Sequence, residues 1–264
     1  MVVGDGAVKS AERVATLLEL LAGNQAPMRL VEVATELDIP KSSAHGLLQT
    51  LAAHDLVVRD DMGRYRIGLK LFSLAANALG FLDVREIARP TMEALAARQH
   101  ATCNLAVLDG HDVLYVEKVE DRSNPVRLVT HVGTRLPAHV TSLGKVLVAE
   151  MPESSRKLWI SEHDFTKFTS QTRTTPATFT RDLAAYRRDG FAVDAREFHD
   201  AIHGFAAPVT DRAGTAVAAL SLTTLGTRLS RDARTEIGTE VCAAAAEISR
   251  NLTTGGVLGI GDET

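Results

Sequence analysis

The chain has 264 residues, 45% hydrophobic and 23% charged, which excludes fibrous and disordered classes and fits one large domain or two ordinary ones. Its two cysteines, Cys103 and Cys242, supply neither a disulfide framework nor a structural zinc site. The longest apolar stretches break well before the ~18 residues of a membrane span, and the polar start does not read as a signal peptide. A cytoplasmic protein with no membrane partner is expected. The net charge is −4, and residues 1–80 carry eight Lys/Arg against nine Asp/Glu, so one copy of this half would hold a polyanion weakly and two or more would be needed.

In chain order, residues 10–22 space Val14, Leu17, Leu18 and Leu21 as the apolar stripe of a helix, with Ser10 as N-cap and Gly23-Asn24 as stop. A second short helix puts Leu30, Val33, Ala34 and Leu37 on one side and ends at Asp38-Ile39-Pro40. A third, from Lys41 to His54, turns Ala44, Leu47, Leu48 and Leu51 inward. Two β-prone runs around Asp60-Asp61-Met62-Gly63 read as a hairpin. Three helices and a hairpin within residues 8–68 make a winged helix-turn-helix. Residues 69–82 form a connecting helix, with Leu69, Phe72, Ala76 and Leu79 along one side and Leu71, Leu74 and Ala78 adjacent. So broad an apolar face suits burial against a second subunit.

Residues 83–252 follow a different pattern. A helix over 84–99 precedes three β-prone runs, NLAVLD, DVLYVEKV and VRLVTHV. Helices are expected at Thr141–Glu150, Glu153–Ile160 and Arg181–Arg188, strands at FAVDAREF, GFAAPVTD and AVAALSLTT, and a closing helix over 231–252. Strands joined by short turns, with helices between, predict an antiparallel sheet covered by helices, and the whole chain is an α+β fold. The Gly-rich residues 253–264 are expected to form a disordered tail.

With the third helix packed through its leucines, Ser42, His45, Gly46 and Gln49 face outward, a small, hydrogen-bonding surface suited to a DNA groove. Its start, Pro40-Lys41-Ser42-Ser43, brings a lysine and two hydroxyls to the positive end of the helix, where a phosphate binds well. Arg59, Arg64 and Arg66 flank the hairpin, placed for backbone or minor-groove contacts. The order helix, helix, Pro turn, helix, basic hairpin points to double-stranded DNA as a partner.

The stretches SAERVATLLELLA, LVEVATELDIPKSSAHGLLQTLAAHDLVVRDDMGRYRIGLKLFSLA, REIARPTMEALA, NLAVLDGHDVLYVEKVE, VRLVTHVGTRLPAHVTSLGKVLVA and GFAAPVTDRAGTAVAALSLT resemble the isocitrate lyase regulator (IclR) family of bacterial transcription factors, from about Val8 to Leu252. The most specific pieces are GRYRIGLKLFSL and AHVTSLGK. The resemblance implies a GAF-like effector domain, homodimers that often pair into tetramers, an operator in DNA, and a small metabolite that relieves repression or activation. One departure concerns base reading: where the family usually has Arg after His45, this chain has Gly46.

For the second half, Thr141-Ser142-Leu143-Gly144-Lys145 opens a helix after a strand and turn, so backbone N–H groups there, with Gly144 permitting close approach, form an anion site. Ser221 and Thr223 sit two apart in a strand and share one face, Leu220 and Leu222 the other. The resemblance places Ser142, Leu143, Asp194, Ser221 and Thr223 around an effector pocket, with Asp194 accepting a ligand hydroxyl. Gly204, where the family often has Cys nearby, removes a thiol and leaves more space, so the expected effector is a carboxylate, aromatic or otherwise bulky. No cofactor is expected. Three other readings stay open: a metal-responsive regulator using Glu197, His199 and His203, an enzyme in which Cys103, His131, His139, Asp194 and His203 meet in a cavity, and a plain dimerisation or scaffolding protein, which would leave Lys41-Ser42-Ser43 and the hairpin arginines unexplained. Against the enzyme, the chain carries no nucleophile elbow, phosphate loop or HExxH.

Overall fold

The computed structural model describes residues 8–24, 26–78, 81–121, 130–226 and 229–255. The chain divides into two compact units, Met1–Gly80 and Phe81–Thr264.

In the first unit, helices α1 (Lys9–Gly23), α2 (Leu30–Glu36) and α3 (Lys41–Ala53) carry the expected stripes. Leu17, Leu21, Val33, Leu48 and Leu51 pack with Met28, Val57 and Tyr65 into one core. Burying each of these side chains contributes about 1.5–3 kcal/mol. The cap at Ser10 is corrected: α1 begins one residue earlier, with Val8 at the N-cap and no side-chain cap bond. Asp38, at φ 49°, supplies the left-handed step between α2 and α3. The hairpin is a three-stranded sheet rather than two, because β1 (Met28–Arg29) adds to β3 (Arg64–Ile67), which also pairs with β2 (Val57–Arg59). A two-residue strand leaves no period to read in the sequence. Helix α4 (Leu69–Ala78) follows, with Leu69 79% and Leu74 49% exposed. The expected apolar contacts of Phe72, Ala76, Ala78 and Leu79 fall outside the residues whose side chains are described.

The second unit is a six-stranded antiparallel sheet in the order β6-β5-β4-β9-β8-β7. Its strands are β4 (Thr102–Asp109), β5 (Asp112–Glu120), β6 (Arg135–Pro137), β7 (Ala192–Ala195), β8 (Ile202–Thr210) and β9 (Ala216–Leu225). Helices α5 (Phe81–Gln99) and α9 (Arg231–Gly255) cover one face through Leu95, Leu105, Phe205, Leu220, Leu222 and Val241. Helices α6 (Ser142–Glu150), α7 (Glu153–Glu162) and α8 (Pro176–Asp189) cover the other through Val146, Trp159, Phe179, Ala206 and Ala219. Alternation along β4, β8 and β9 sends Leu105, Phe205, Leu220 and Leu222 to the α5/α9 side and leaves mainly small and polar residues toward α6.

Two expectations need correction here. The run VRLVTHV lies mostly outside the described residues, and its described end, from Thr130 to Val132, is not strand; the third strand on that side is β6, a few residues later. Helix α9 runs on to Gly255, past the expected end at 252, and the rest of the expected tail lies outside the described residues.

Candidate DNA interface and ligand cavity

On α3, Lys41, Ser42, His45, Gly46 and Gln49 are exposed and Ser43 is half-buried, while Ala44, Leu48 and Leu51 are buried. The outward face is therefore the one expected. Pro40 at the N-cap makes no side-chain cap bond, so the first amides of α3 stay available to an acceptor outside the helix. Nothing lies within 4 Å of where a Gly46 side chain would start, so this position is open surface.

The hairpin arginines are not equivalent. Arg64 Nε donates to Asp60 Oδ2 at 2.8 Å, and the Arg64 and Met62 N–H groups donate to Asp60 Oδ1. Asp60 is thereby held below the usual carboxylate range, with the Arg64 backbone hydrogen bond as the main cause. Arg64 thus braces the turn that Gly63, at φ 76°, completes, while its side chain stays part-exposed. Arg59 lies 5.8 Å over the Tyr65 ring and pairs across the strands with it, on the opposite face from Arg66, which is paired with Val58. Strand β1 brings Arg29 opposite Arg64, onto the face that Arg66 shares. Sequence reasoning missed Arg29 because its strand is too short to show.

In the second unit the sheet assembles a cavity against α6. Across the strands, Asp194 pairs with Gly204, Gly204 with Thr223, Ala206 with Ser221, and Ser221 with Asn104, so these residues form one continuous polar floor. Ser142, Leu143, Tyr115, Phe198 and Ile202 complete the walls of a cavity of about 40 Å³, room for about three waters. Of the expected pocket residues, Ser142, Leu143, Asp194, Gly204, Ser221 and Thr223 meet here. Asn104 Nδ2 donates to Thr223 Oγ1 at 3.2 Å, while Asn104 Oδ1 is buried without a partner. Asn104 went unnoticed in the sequence because only the β4–β9 register brings it beside Ser221.

Gly144 does not line the cavity. A side chain there would run into the backbone of Ala138, in the 3-10 turn Ala138–Val140, so the glycine lets that turn pack on α6 and makes no room for a ligand. The amide of Gly144 is also taken, donating to Thr141 Oγ1 at 2.9 Å. Only Ser142 and Leu143 offer helix-start N–H groups on the cavity wall. The space expected beside Gly204 is filled as well: a Cβ there would lie 2.8 Å from Ser142 Oγ.

Behind the cavity is a charged array that the sequence did not reveal. Lys145, 1% exposed, donates from Nζ to Glu197 Oε1 and Asp182 Oδ2, each at 2.6 Å, and to Val193 O at 2.9 Å. Arg173 Nε reaches the same Asp182 oxygen at 2.9 Å. Asp194, 4% exposed, accepts the Glu197 N–H at 2.6 Å, and burial pushes its carboxyl up to about 7 against the opposing pull of Lys145.

The residues of the metal and enzyme readings do not gather. His199 lies outside any strand and accepts its own Ala201 N–H, Glu197 is turned to Lys145, and His203 is buried on the α5/α9 side with both ring nitrogens unpartnered. Among the described residues no group of three or more His, Cys, Asp or Glu could hold a metal. Of the candidate catalytic residues only Asp194 lines the cavity; Cys103 points into the opposite core, where burial raises its thiol to about 12.

Residues 10–61 match the IclR helix-turn-helix domain and residues 76–250 the C-terminal domain of bacterial IclR transcriptional regulators. The chain is 35% identical over 251 residues to the glycerol operon regulatory protein of Streptomyces coelicolor, covering 94% of this chain and 98% of that protein. It is 29% identical over 246 residues to the Escherichia coli transcriptional regulator XynR, covering 93% and 97%. Among solved structures, an IclR homolog from Microbacterium hydrocarbonoxydans complexed with 4-hydroxybenzoate superposes with a TM-score of 0.80 at 25% identity, covering 92% of this chain and 98% of that one. The chain belongs to the IclR family of bacterial transcriptional regulators, and it carries the family's DNA-binding and effector domains.

Proposed function

We propose that this regulator binds a specific operator as a dimer or a dimer of dimers and changes its hold on that operator when a small organic acid fills the cavity. The observation that carries the reading is the cavity itself: Ser142, Asp194, Ser221 and Asn104 are all buried polar residues gathered around one cavity, which a fold uses for a ligand far more readily than for packing. Hydroxyls of Ser142, Ser221 and Thr223 and the N–H groups of Ser142 and Leu143 suit a carboxylate's oxygens. The similar protein that binds 4-hydroxybenzoate supports an acid as the class. Its size is a separate question. With the space at Gly204 occupied by Ser142, a short oxo- or hydroxy-acid fits the cavity as it stands, and an aromatic acid enters only if the walls move.

On the DNA side, Lys41, Ser42, Ser43, His45 and Gln49 of α3 are the proposed groove and phosphate contacts, with Arg59 and Arg66 on the wing. A nearly neutral first unit favours two copies acting together, and Leu69 and Leu74 of α4 are large apolar side chains left exposed. The relatives are regulators, and a regulator should return its ligand unchanged; the enzyme reading rests on no assembled catalytic group. Fluorescence anisotropy on the DNA beside the protein's own gene, with excess competitor at two salt concentrations, tests the whole proposal. Competitor-resistant binding that weakens steeply with salt, and shifts with glyoxylate, pyruvate or 4-hydroxybenzoate, is the expected result. Binding abolished by competitor would argue against an operator in that DNA, and indifference to every acid against the effector assignment.

A further inference from the structure

The cavity has an unusual charge balance. Among the described residues its lining contains no Lys, Arg or His, yet it contains the carboxylate of Asp194. The groups facing Asp194 can be taken element by element. Helix α6 sends Lys145, helix α8 sends Asp182, the segment before α8 sends Arg173, and the turn after β7 sends Glu197. Strand β5 contributes the uncharged Tyr115, whose phenol is pushed up first by burial and then by Asp194. Strands β4, β8 and β9 present only uncharged residues among those described, Asn104, Ile202, Gly204, Ser221 and Thr223. The two cations are thus already engaged by Asp182 and Glu197, at 2.6–2.9 Å, and two positive charges face three carboxylates. Among the described residues Asp194 is the one of the three carboxylates with no ion pair of its own, and it feels Lys145 only at a distance.

We propose that the cavity accepts a carboxylate ligand only together with a proton, which Asp194 takes from solvent and shares with the ligand's carboxylate. The inference rests on the acid-binding function proposed above and adds what that function leaves open, how a buried anion is admitted beside another. Two bare carboxylates in hydrogen-bonding contact at a buried site cannot both remain ionised, whereas a single proton between them turns the repulsion into a short O–H···O⁻ bond. Asp194 is prepared for this. Burial already raises its carboxyl to about 7, so near neutral pH the proton is gained at little cost. The Glu197 N–H fixes Oδ1 at 2.6 Å and so holds the carboxyl at a set orientation on the cavity floor. The lone pair of Asn104 Oδ1 remains for a donor elsewhere on the ligand, which favours hydroxy-acids over plain ones.

The consequence is linkage between effector and pH. Where free Asp194 is ionised, each unit of rising pH lowers the affinity for an acid about tenfold; where it is already protonated the affinity is flat. A neutral alcohol or amide of the same shape shows no such slope.

Isothermal titration calorimetry of the full-length protein with glyoxylate, pyruvate and 4-hydroxybenzoate, at pH 6 and pH 8 in two buffers of different ionisation enthalpy, counts the protons directly. Close to one proton taken up per acid at pH 8, and few at pH 6, is expected. Asp194→Asn keeps the shape and the bond to Glu197 but has no carboxyl to protonate, so it should bind the same acid with no proton uptake and no pH slope. Ser221→Ala should weaken binding while leaving the proton count unchanged. An acid bound by the native protein without proton uptake, or uptake that persists in Asp194→Asn, overturns this inference and leaves the proposed function standing. If no acid binds at either pH to protein that still holds its operator, the acid reading and this inference fall together.

Discussion

Three glycines in this chain look alike in the sequence and do unrelated things. Gly144 is required because backbone of the Ala138 turn occupies the volume a side chain would need. Gly144→Ala is therefore expected to destabilise the second unit by about 2–3 kcal/mol through overpacking, read as a fall in thermal midpoint; an unchanged midpoint would show that the turn can retreat. Gly46 is the opposite case, exposed in the middle of α3 with open space around it. There Gly46→Ala should stabilise the first unit by about 0.5–1 kcal/mol, since the helix no longer has to order a glycine. Gly46→Arg should also steepen the salt dependence of DNA binding by about one phosphate contact, measurable as the slope of affinity against salt. If the slope does not change, the α3 face does not lie against DNA at this point. Gly204 falls between the two, its place shared with a serine hydroxyl that is able to rotate.

The segment joining α7 to α8 shows how elements remote in sequence tune one another. His163, just after α7, stacks on Trp159 at 4.3 Å and 13°, and its Nε2 lies 2.7 Å from His139 Nδ1 in the 3-10 turn. His139 Nε2 faces the Thr166 carbonyl at 3.0 Å. A carbonyl only accepts, so His139 donates from Nε2, accepts at Nδ1, and His163 must donate from its own Nε2. The chain of imidazoles is thus ordered while neutral. Burial first, then His139 and His111, lowers His163 to about 4. Trp159 is the single tryptophan of the protein, so all of its fluorescence comes from the ring on which His163 stacks, with His111 and Phe179 as its other ring neighbours. Acid titration should quench it with a midpoint near pH 4, and His163→Leu should remove the transition. A midpoint near the ordinary histidine value would mean that the stack is not held.

These groups also set how the second unit as a whole responds to acid. Burial lowers His139, His163 and His203, so each is neutral in the fold at a pH where the unfolded chain would already be charged. Their contribution is present above about pH 6.5 and is lost as pH falls below it. Asp194 has the reverse sign: raised to about 7, it favours the fold at low pH, and this contribution is lost as pH rises from about 4 to 7. Three histidines against one carboxyl predict a net fall in the thermal midpoint between pH 7 and pH 5. Asp194→Asn, which removes the one opposing group, should make that fall steeper. A midpoint that rises on acidification would mean that the histidines are solvated.

The sequence by itself determined what depends on neighbours along the chain. Leucine spacing at helical period fixed α1 to α3 and their inward faces, Asp60 to Gly63 announced the turn, and alternation in AVAALSLTT placed Ser221 and Thr223 together, away from Leu220 and Leu222. That this face, with Ser142 and Asp194, borders a pocket came from the family resemblance and not from the spacing. Only the tertiary structure decided what depends on distances through space. Lys145 closes the helix-opening motif expected to bind an anion, yet its ammonium is buried against Glu197 and Asp182 of the same chain, 52 and 37 residues away. Asn104 joins the floor through strand register, Arg64 pairs with Asp60 in its own turn, Gly144 makes way for the Ala138 backbone, and Gly204, on the cavity floor, lies against the Ser142 hydroxyl. Periodicity is a local property of the chain and survives translation into structure. Electrostatic balance and steric room are sums over atoms brought together by folding, and no stretch of sequence contains them.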